Sequence, residues 1–190
     1  MMSQIAPMTP PATSYGTPVV SQKKRYKIQL FNPRHYDNVE HHWQQKPFAV
    51  DKIRSFYGLL TEERMDAAIK SKRHNIVSRD PELWDSEGLV LTSVNRPFKS
   101  KLMFSLNPQA PIPSDLKVER LSGTWISKVY EGEYGKFLDW VDDSVAYVKQ
   151  EYGKKVNAHK DWLVFYPSAL ENQKAKNHAV VVFFIKVGDD

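Results

Sequence analysis

The chain has 190 residues, no cysteine, 27 Lys and Arg against 22 Asp and Glu for a formal charge of +5, and an apolar fraction of 41%. That length allows one well-cored domain or two small half-domains sharing a core, and the missing thiols exclude disulfides, cysteine nucleophiles and cysteine zinc sites. The basic residues are interleaved with acidic ones, which argues against a nucleic-acid partner, and no apolar run approaches the ~20 residues that cross a bilayer.

Residues 1–23 are rich in Pro, Ser and Thr without periodicity, so they read as a flexible N-terminal tail. They lack the compact apolar core of a signal peptide, and a cytoplasmic location is the resulting expectation. The rest, 24–190, reads as one domain. Lys24 to Leu30 alternates polar and apolar residues as a lead-in strand would, and Phe31 to Lys46 is loop-like.

A first repeat over about 47–106 begins at Pro47 with a strand rich in β-branched and aromatic residues that ends near Gly58. Thr61 then caps a helix carrying Met65, Ala68, Ile69 and Ile76 on one face. A turn-rich stretch, SRDPELWDSEG, leads to strands over Leu89 to Val94 and Leu102 to Leu106. Residues 107–115, NPQAPIPSD, hold three prolines and form the linker between halves.

The same order returns in a second repeat over about 116–188. Gly123 to Tyr134 reads as a strand ending in a glycine turn, and Gly135 to Tyr152 as a helix with Phe137, Val141, Val145, Val148 and Tyr152 on one stripe, closed by Gly153. Asp161 to Tyr166 and Ala179 to Val187 supply the last two strands. The fold class is therefore α+β, with tandem pseudo-two-fold β-α-β-β repeats, antiparallel sheets and two main helices. Each module alone leaves one sheet face uncovered; pairing covers both and leaves a cleft suited to a small-molecule ligand.

Within the second repeat, Val129-Tyr130-Glu131-Gly132-Glu133-Tyr134 followed by an aromatic-rich helix resembles the V-x-E-G-P-Y signature of GyrI-like small-molecule-binding proteins. Trp43 with Lys46-Pro47-Phe48, and the GLVLTS strand starting at Gly88, resemble a bacterial branch of that group often labelled hydrolase. The resemblance covers roughly residues 31–187. It implies a duplicated β-α-β-β fold, similar also to SOUL haem-binding proteins and to effector domains of multidrug-responsive regulators, with a ligand cleft between the repeats. Glu133 replaces the usual Pro, and Tyr166-Pro167-Ser168-Ala169-Leu170 replaces a usual Cys-containing stretch, so thiol-dependent chemistry of that branch does not carry over.

Glu131 gains weight from the motif as a general base or polar anchor, with Tyr134 beside it if the protein is an enzyme. A carboxylate desolvated among rings can take a proton from water or meet a cationic ligand; the plainer alternative for Glu131 and Glu133 is a solvated pair flanking a turn. Trp43, Tyr57, Trp84, Trp125, Tyr130, Trp140 and Tyr166 are the candidate aromatic lining, against the alternative that most are core. Lys128, inside an apolar strand, either pairs with Glu131 or an anionic ligand group, or faces outward at an edge. The adjacent His41 and His42 point apart and have no third ligand, which argues against a metal, and Ser127 and Ser168 have no nucleophile motif around them.

No cofactor is implied. The preferred function is binding, by sequestration or sensing, of an aromatic or amphipathic compound in the inter-repeat cleft. The alternative is hydrolysis of a small reactive or xenobiotic compound, with Glu131 activating water as the GyrI-like precedent implies. A protein-interaction role, like that of a gyrase inhibitor, is the third possibility, and oligomeric state is left open.

Overall fold

Strands whose odd and even residues are both apolar have two faces to bury, and here one closed sheet buries both. The computed structural model describes residues 31–53, 62–93, 100–157, 161–165 and 178–189. In chain order these form β1 (Val39–Ile53), α1 (Glu62–Arg79), β2 (Val90–Ser93), β3 (Ser100–Ser105), β4 (Val118–Glu133), α2 (Phe137–Tyr152), β5 (Trp162–Phe165) and β6 (His178–Gly188). The six strands close an all-antiparallel barrel in the order β1-β3-β2-β5-β6-β4. The α+β class is as expected. The separate sheets are not: β2 pairs with β5, and β1 with β4, so the halves join into one sheet without edges.

One strand face points into the lumen. Trp43, Phe48, Val50, Leu89, Leu91, Met103, Trp125, Leu163, Phe165, Val182 and Phe184 form a single cluster there. The opposite face carries two separate apolar patches. Ala49, Val90, Leu102 and Phe104 pack against Ile69 and Ile76 of α1, while Ile126, Val164, Val181 and Phe183 pack against Phe137, Trp140 and Val148 of α2. Period two along the strands and the 3.6-residue period of the helices produce this three-part core. Gly153 ends α2 in the left-handed conformation, φ 63°, its N–H bonded to the Lys149 carbonyl.

Several boundaries differ from expectation. The stretch to Lys46 read as a loop, yet β1 starts at Val39. Val39, His41 and Trp43 face the lumen, and His41 hid the alternation because it is polar. A bulge follows at Gln45, φ 52°, which restores lumen parity at Lys46, Phe48 and Val50. β4 begins at Val118 and runs on through Gly132 to Glu133, so the turn expected at Gly132 is absent; a 3-10 turn over Tyr134–Lys136 leads into α2 at Phe137 instead. The N-terminal tail, the lead-in strand, the Thr61 cap and the segment joining β5 to β6 lie outside the described residues. No helix among the described residues is long and apolar enough to cross a membrane.

Candidate functional site

The antiparallel register gathers one set of strand ends at the same barrel mouth: the start of β1, the end of β4, the start of β6 and the end of β5. A 3-10 turn over Pro33–His35, capped by the Asn32 side chain, delivers Phe31 and Tyr36 to this mouth. Phe31 stacks on Tyr36 at 5.5 Å between ring centroids and meets Phe165 edge-on at 6.0 Å. Tyr36 also packs on Phe184 and on His41. Asp37 anchors the segment, its Oδ1 accepting a hydrogen bond from the Val129 N–H at 3.3 Å. Deeper in, Trp43 lies 5.2 Å from Trp125 and 5.5 Å from Phe184.

Polar groups are set into this ring-lined surface. His41 stands opposite Trp125 in the β1–β4 ladder, and its Nε2 lies 2.7 Å from Oγ of the fully buried Ser127. The Ser127 hydroxyl also donates to the Val39 carbonyl at 3.3 Å. Burial, more than any neighbouring charge, holds the His41 imidazole below its ordinary pKa. Burial likewise raises the Tyr36 phenol, helped by Glu87 and Asp85.

Lys46, directed to the lumen side by the bulge, forms the charged part of the mouth. Its Nζ lies 2.6 Å from Glu87 Oε2 and 3.2 Å from Asp85 Oδ2, and 5.8 Å from the centre of the Trp43 ring. The Asp85 contact has an ion-pair distance but not hydrogen-bond angles, so that buried oxygen is ion-paired without a hydrogen bond among the described residues; the buried indole N–H groups of Trp125, in the lumen, and of Trp162, under α2, have none there either. Buried polar atoms in native proteins nearly always find a partner, and the Trp125 donor is the one set among the lumen rings.

The aromatic residues expected to line one cleft fall in three places. Trp43 and Trp125 are in the lumen. Trp84 lies on the outer face beside Phe104, with the Arg73 guanidinium 5.2 Å from its ring. Tyr130 and Trp140 stack on each other under α2. Alternation along β4 separates Tyr130 from Trp125, because an odd step between them turns the side chain to the other face. Tyr57, Tyr166 and the Tyr134 side chain lie outside the described residues.

Glu131 shares the lumen parity of Trp125, Ser127 and Val129, and Glu133 shares it too, because β4 does not turn between them. Both are exposed, so Glu131 is not a carboxylate desolvated among rings. Lys128 faces outward and pairs with Asp143 at 2.9 Å, and the Tyr130 hydroxyl donates to the same carboxylate at 2.6 Å. Burial and that bond push the Tyr130 phenol far up. His42 points away from His41, toward Thr124, and no metal-binding cluster occurs among the described residues.

Sequence reasoning missed Tyr36, His41, Lys46, Asp85 and Ser127 as one constellation. The available signal was the V-x-H-x-W alternation at 39–43 with W-x-S at 125–127, a lumen triplet and a lumen pair on paired strands.

Residues 20–187 match the family model described as bacterial hydrolase. No curated protein matches the chain.

Proposed function

The chain belongs to the bacterial hydrolase family, and from that premise we propose that it binds a small aromatic or amphipathic molecule at the barrel mouth framed by Tyr36, His41 and Trp43. The observation that carries this reading is the pairing of a ring-lined lumen with a buried donor, the Trp125 Nε1–H, that has no hydrogen bond among the described residues. Such a donor costs about 1–3 kcal/mol while unsatisfied. A ligand offering an acceptor to the indole recovers that cost on binding, and a donor on the same ligand would meet the Asp85 carboxylate beside Lys46.

Lys46 is outnumbered by Asp85 and Glu87, and Glu131 lies at the same end of the barrel. A planar molecule with a cationic or hydrogen-bond-donating group suits this balance better than an anion. Trp43 and Trp125 are the ligand-contacting aromatics of this proposal; Trp84, Tyr130 and Trp140, on the outer face, would serve packing.

We also read the barrel as two GyrI-like β-α-β-β repeats. In support, the ring of strand neighbours is unchanged when β1, β2 and β3 are exchanged for β4, β5 and β6, and each half packs its helix on its own outer patch.

Hydrolysis of the bound molecule is the second reading, favoured by the family's description. In it Glu131 meets the ligand at the rim, with Tyr134 beside it in sequence.

A thermal-shift titration with proflavine, a planar cationic dye, tests the first reading, because a ligand bound only by the folded chain must raise the midpoint. A saturable rise with proflavine, larger than with a planar sulfonate, is expected; no rise with either contradicts binding at this mouth. Glu131→Gln that abolishes turnover but retains dye affinity would favour hydrolysis through Glu131, whereas loss of affinity alone would favour a binding anchor.

A further inference from the structure

Ser127 has one hydroxyl proton and two neighbours that want it, and only one of them has an alternative. The Val39 carbonyl can only accept, whereas His41 Nε2 can donate or accept according to tautomer. When the hydroxyl proton goes to Val39, Nε2 must carry the imidazole proton and donate it to Ser127 Oγ across 2.7 Å. The other ring nitrogen, Nδ1, then holds a lone pair. It has no hydrogen-bond partner among the described residues, and His41 is only half-buried, beside the Tyr36 ring.

We infer that His41 is the general base of this site, held by Ser127 and the Val39 carbonyl in the Nε2–H tautomer with Nδ1 turned to the bound molecule. This rests on the hydrolytic reading above, with His41 in place of Glu131 as the group that activates water. Ser127 is fully buried and its proton is engaged with the backbone, so it positions His41 and is not a nucleophile.

The substrate class follows from the charges. Asp85 and Glu87 outweigh Lys46 at the mouth, which disfavours phosphate or sulfate esters, and the surrounding rings suit an uncharged acyl group. A carboxylic ester fits. Nδ1 takes a proton from water as the water oxygen bonds to the ester carbonyl carbon, giving a tetrahedral adduct and an imidazolium. The adduct's bond to the leaving oxygen then breaks, and that oxygen takes the proton back from Nδ1. Water and ester become acid and alcohol, and His41 is restored.

The charged and titratable groups around His41 are Tyr36 on the preceding turn, Lys46 on β1 and Glu87 before β2, with Asp85 near Tyr36 and Lys46, and His42 acting through space from the opposite face of β1. Only Glu87 favours the imidazolium; burial, Lys46 and His42 oppose it. The base is therefore free at neutral pH, and the acid limb of kcat/KM lies below the ordinary imidazole value of 6.5.

The test uses the full chain and p-nitrophenyl acetate. His41→Gln keeps an amide donor near the Nε2 position, so the bond to Ser127 and the fold survive while the base is lost; kcat/KM falls by about 100-fold or more. Ser127→Ala lowers it less and displaces the acid limb. Long-range nitrogen–proton NMR of the histidine rings, with His41→Gln assigning the signal, reads Nε2–H in wild type. An Nδ1–H tautomer, or hydrolysis that survives His41→Gln, overturns the assignment of His41 while leaving hydrolysis intact. A wild-type chain that binds proflavine but does not hydrolyse the ester overturns the hydrolytic reading and the base with it.

Discussion

Lys46 shows how a single side chain ties the charged rim to the apolar lumen. Its own side chain is 15% exposed and that of Asp85 12%, whereas Glu87 is half in solvent at 52%. Most of the pair's weight thus falls on Asp85, whose Oδ2 meets the lysine at 3.2 Å and accepts no hydrogen bond among the described residues. Lys46→Met leaves this buried carboxylate uncompensated, and a loss of about 1–3 kcal/mol is expected. Urea unfolding should show a lower midpoint with an unchanged slope. Adding Asp85→Asn should recover much of the loss, because the two residues act on one interaction. A midpoint unmoved by Lys46→Met would mean that the ion pair is solvated and sets no charge at the mouth.

Among the strands, β4 is the element on which both faces depend. Its odd residues Trp125, Ser127 and Val129 look into the lumen, while Ile126, Lys128 and Tyr130 lie under α2. Gly123 lets the adjoining β6 approach. At φ 113° an added Cβ would lie 2.3 Å from Lys186 Cε and 2.6 Å from the Gly188 carbonyl oxygen. Gly123→Ala should therefore destabilise by about 1–3 kcal/mol or more, since backbone strain and a backbone clash act together. Gly135→Ala, with nothing within 4 Å of its would-be Cβ, is the control that leaves the thermal midpoint nearly unchanged. Equal midpoints for the two variants would remove the close β4–β6 approach from the account. Strand existence was legible because runs such as Ala179 to Ile185 are apolar throughout. Where β1 begins was not, because His41 stands at a lumen position and a bulge resets the period at Gln45.

Across the whole molecule, the halves meet along two seams. Among the described residues the β1–β4 ladder runs from Val39↔Ser127 to Ala49↔Val118, and β2 pairs with β5 from Leu91↔Phe165 to Ser93↔Leu163. Closure by these seams turns an expected cleft between modules into a lumen. The order of elements was readable from the sequence, because it needs only local periodicity. Closure was not, because it depends on non-local pairing that no local pattern encodes. For the same reason the candidate aromatics divided between inside and outside: without register, Trp125 and Tyr130 look alike in sequence.

The most direct measurement of the central claim is an equilibrium titration of proflavine against the full chain by fluorescence polarisation, with Tyr36→Ala and Trp84→Phe alongside wild type. Aromatic contacts of this kind are worth roughly 0.5–1.5 kcal/mol, so Tyr36→Ala should weaken binding by up to about tenfold. Trp84→Phe, on the outer face, should leave it within about twofold. Absence of saturable binding, or a loss in Trp84→Phe matching that in Tyr36→Ala, would contradict a ligand site at the Tyr36 end of the barrel.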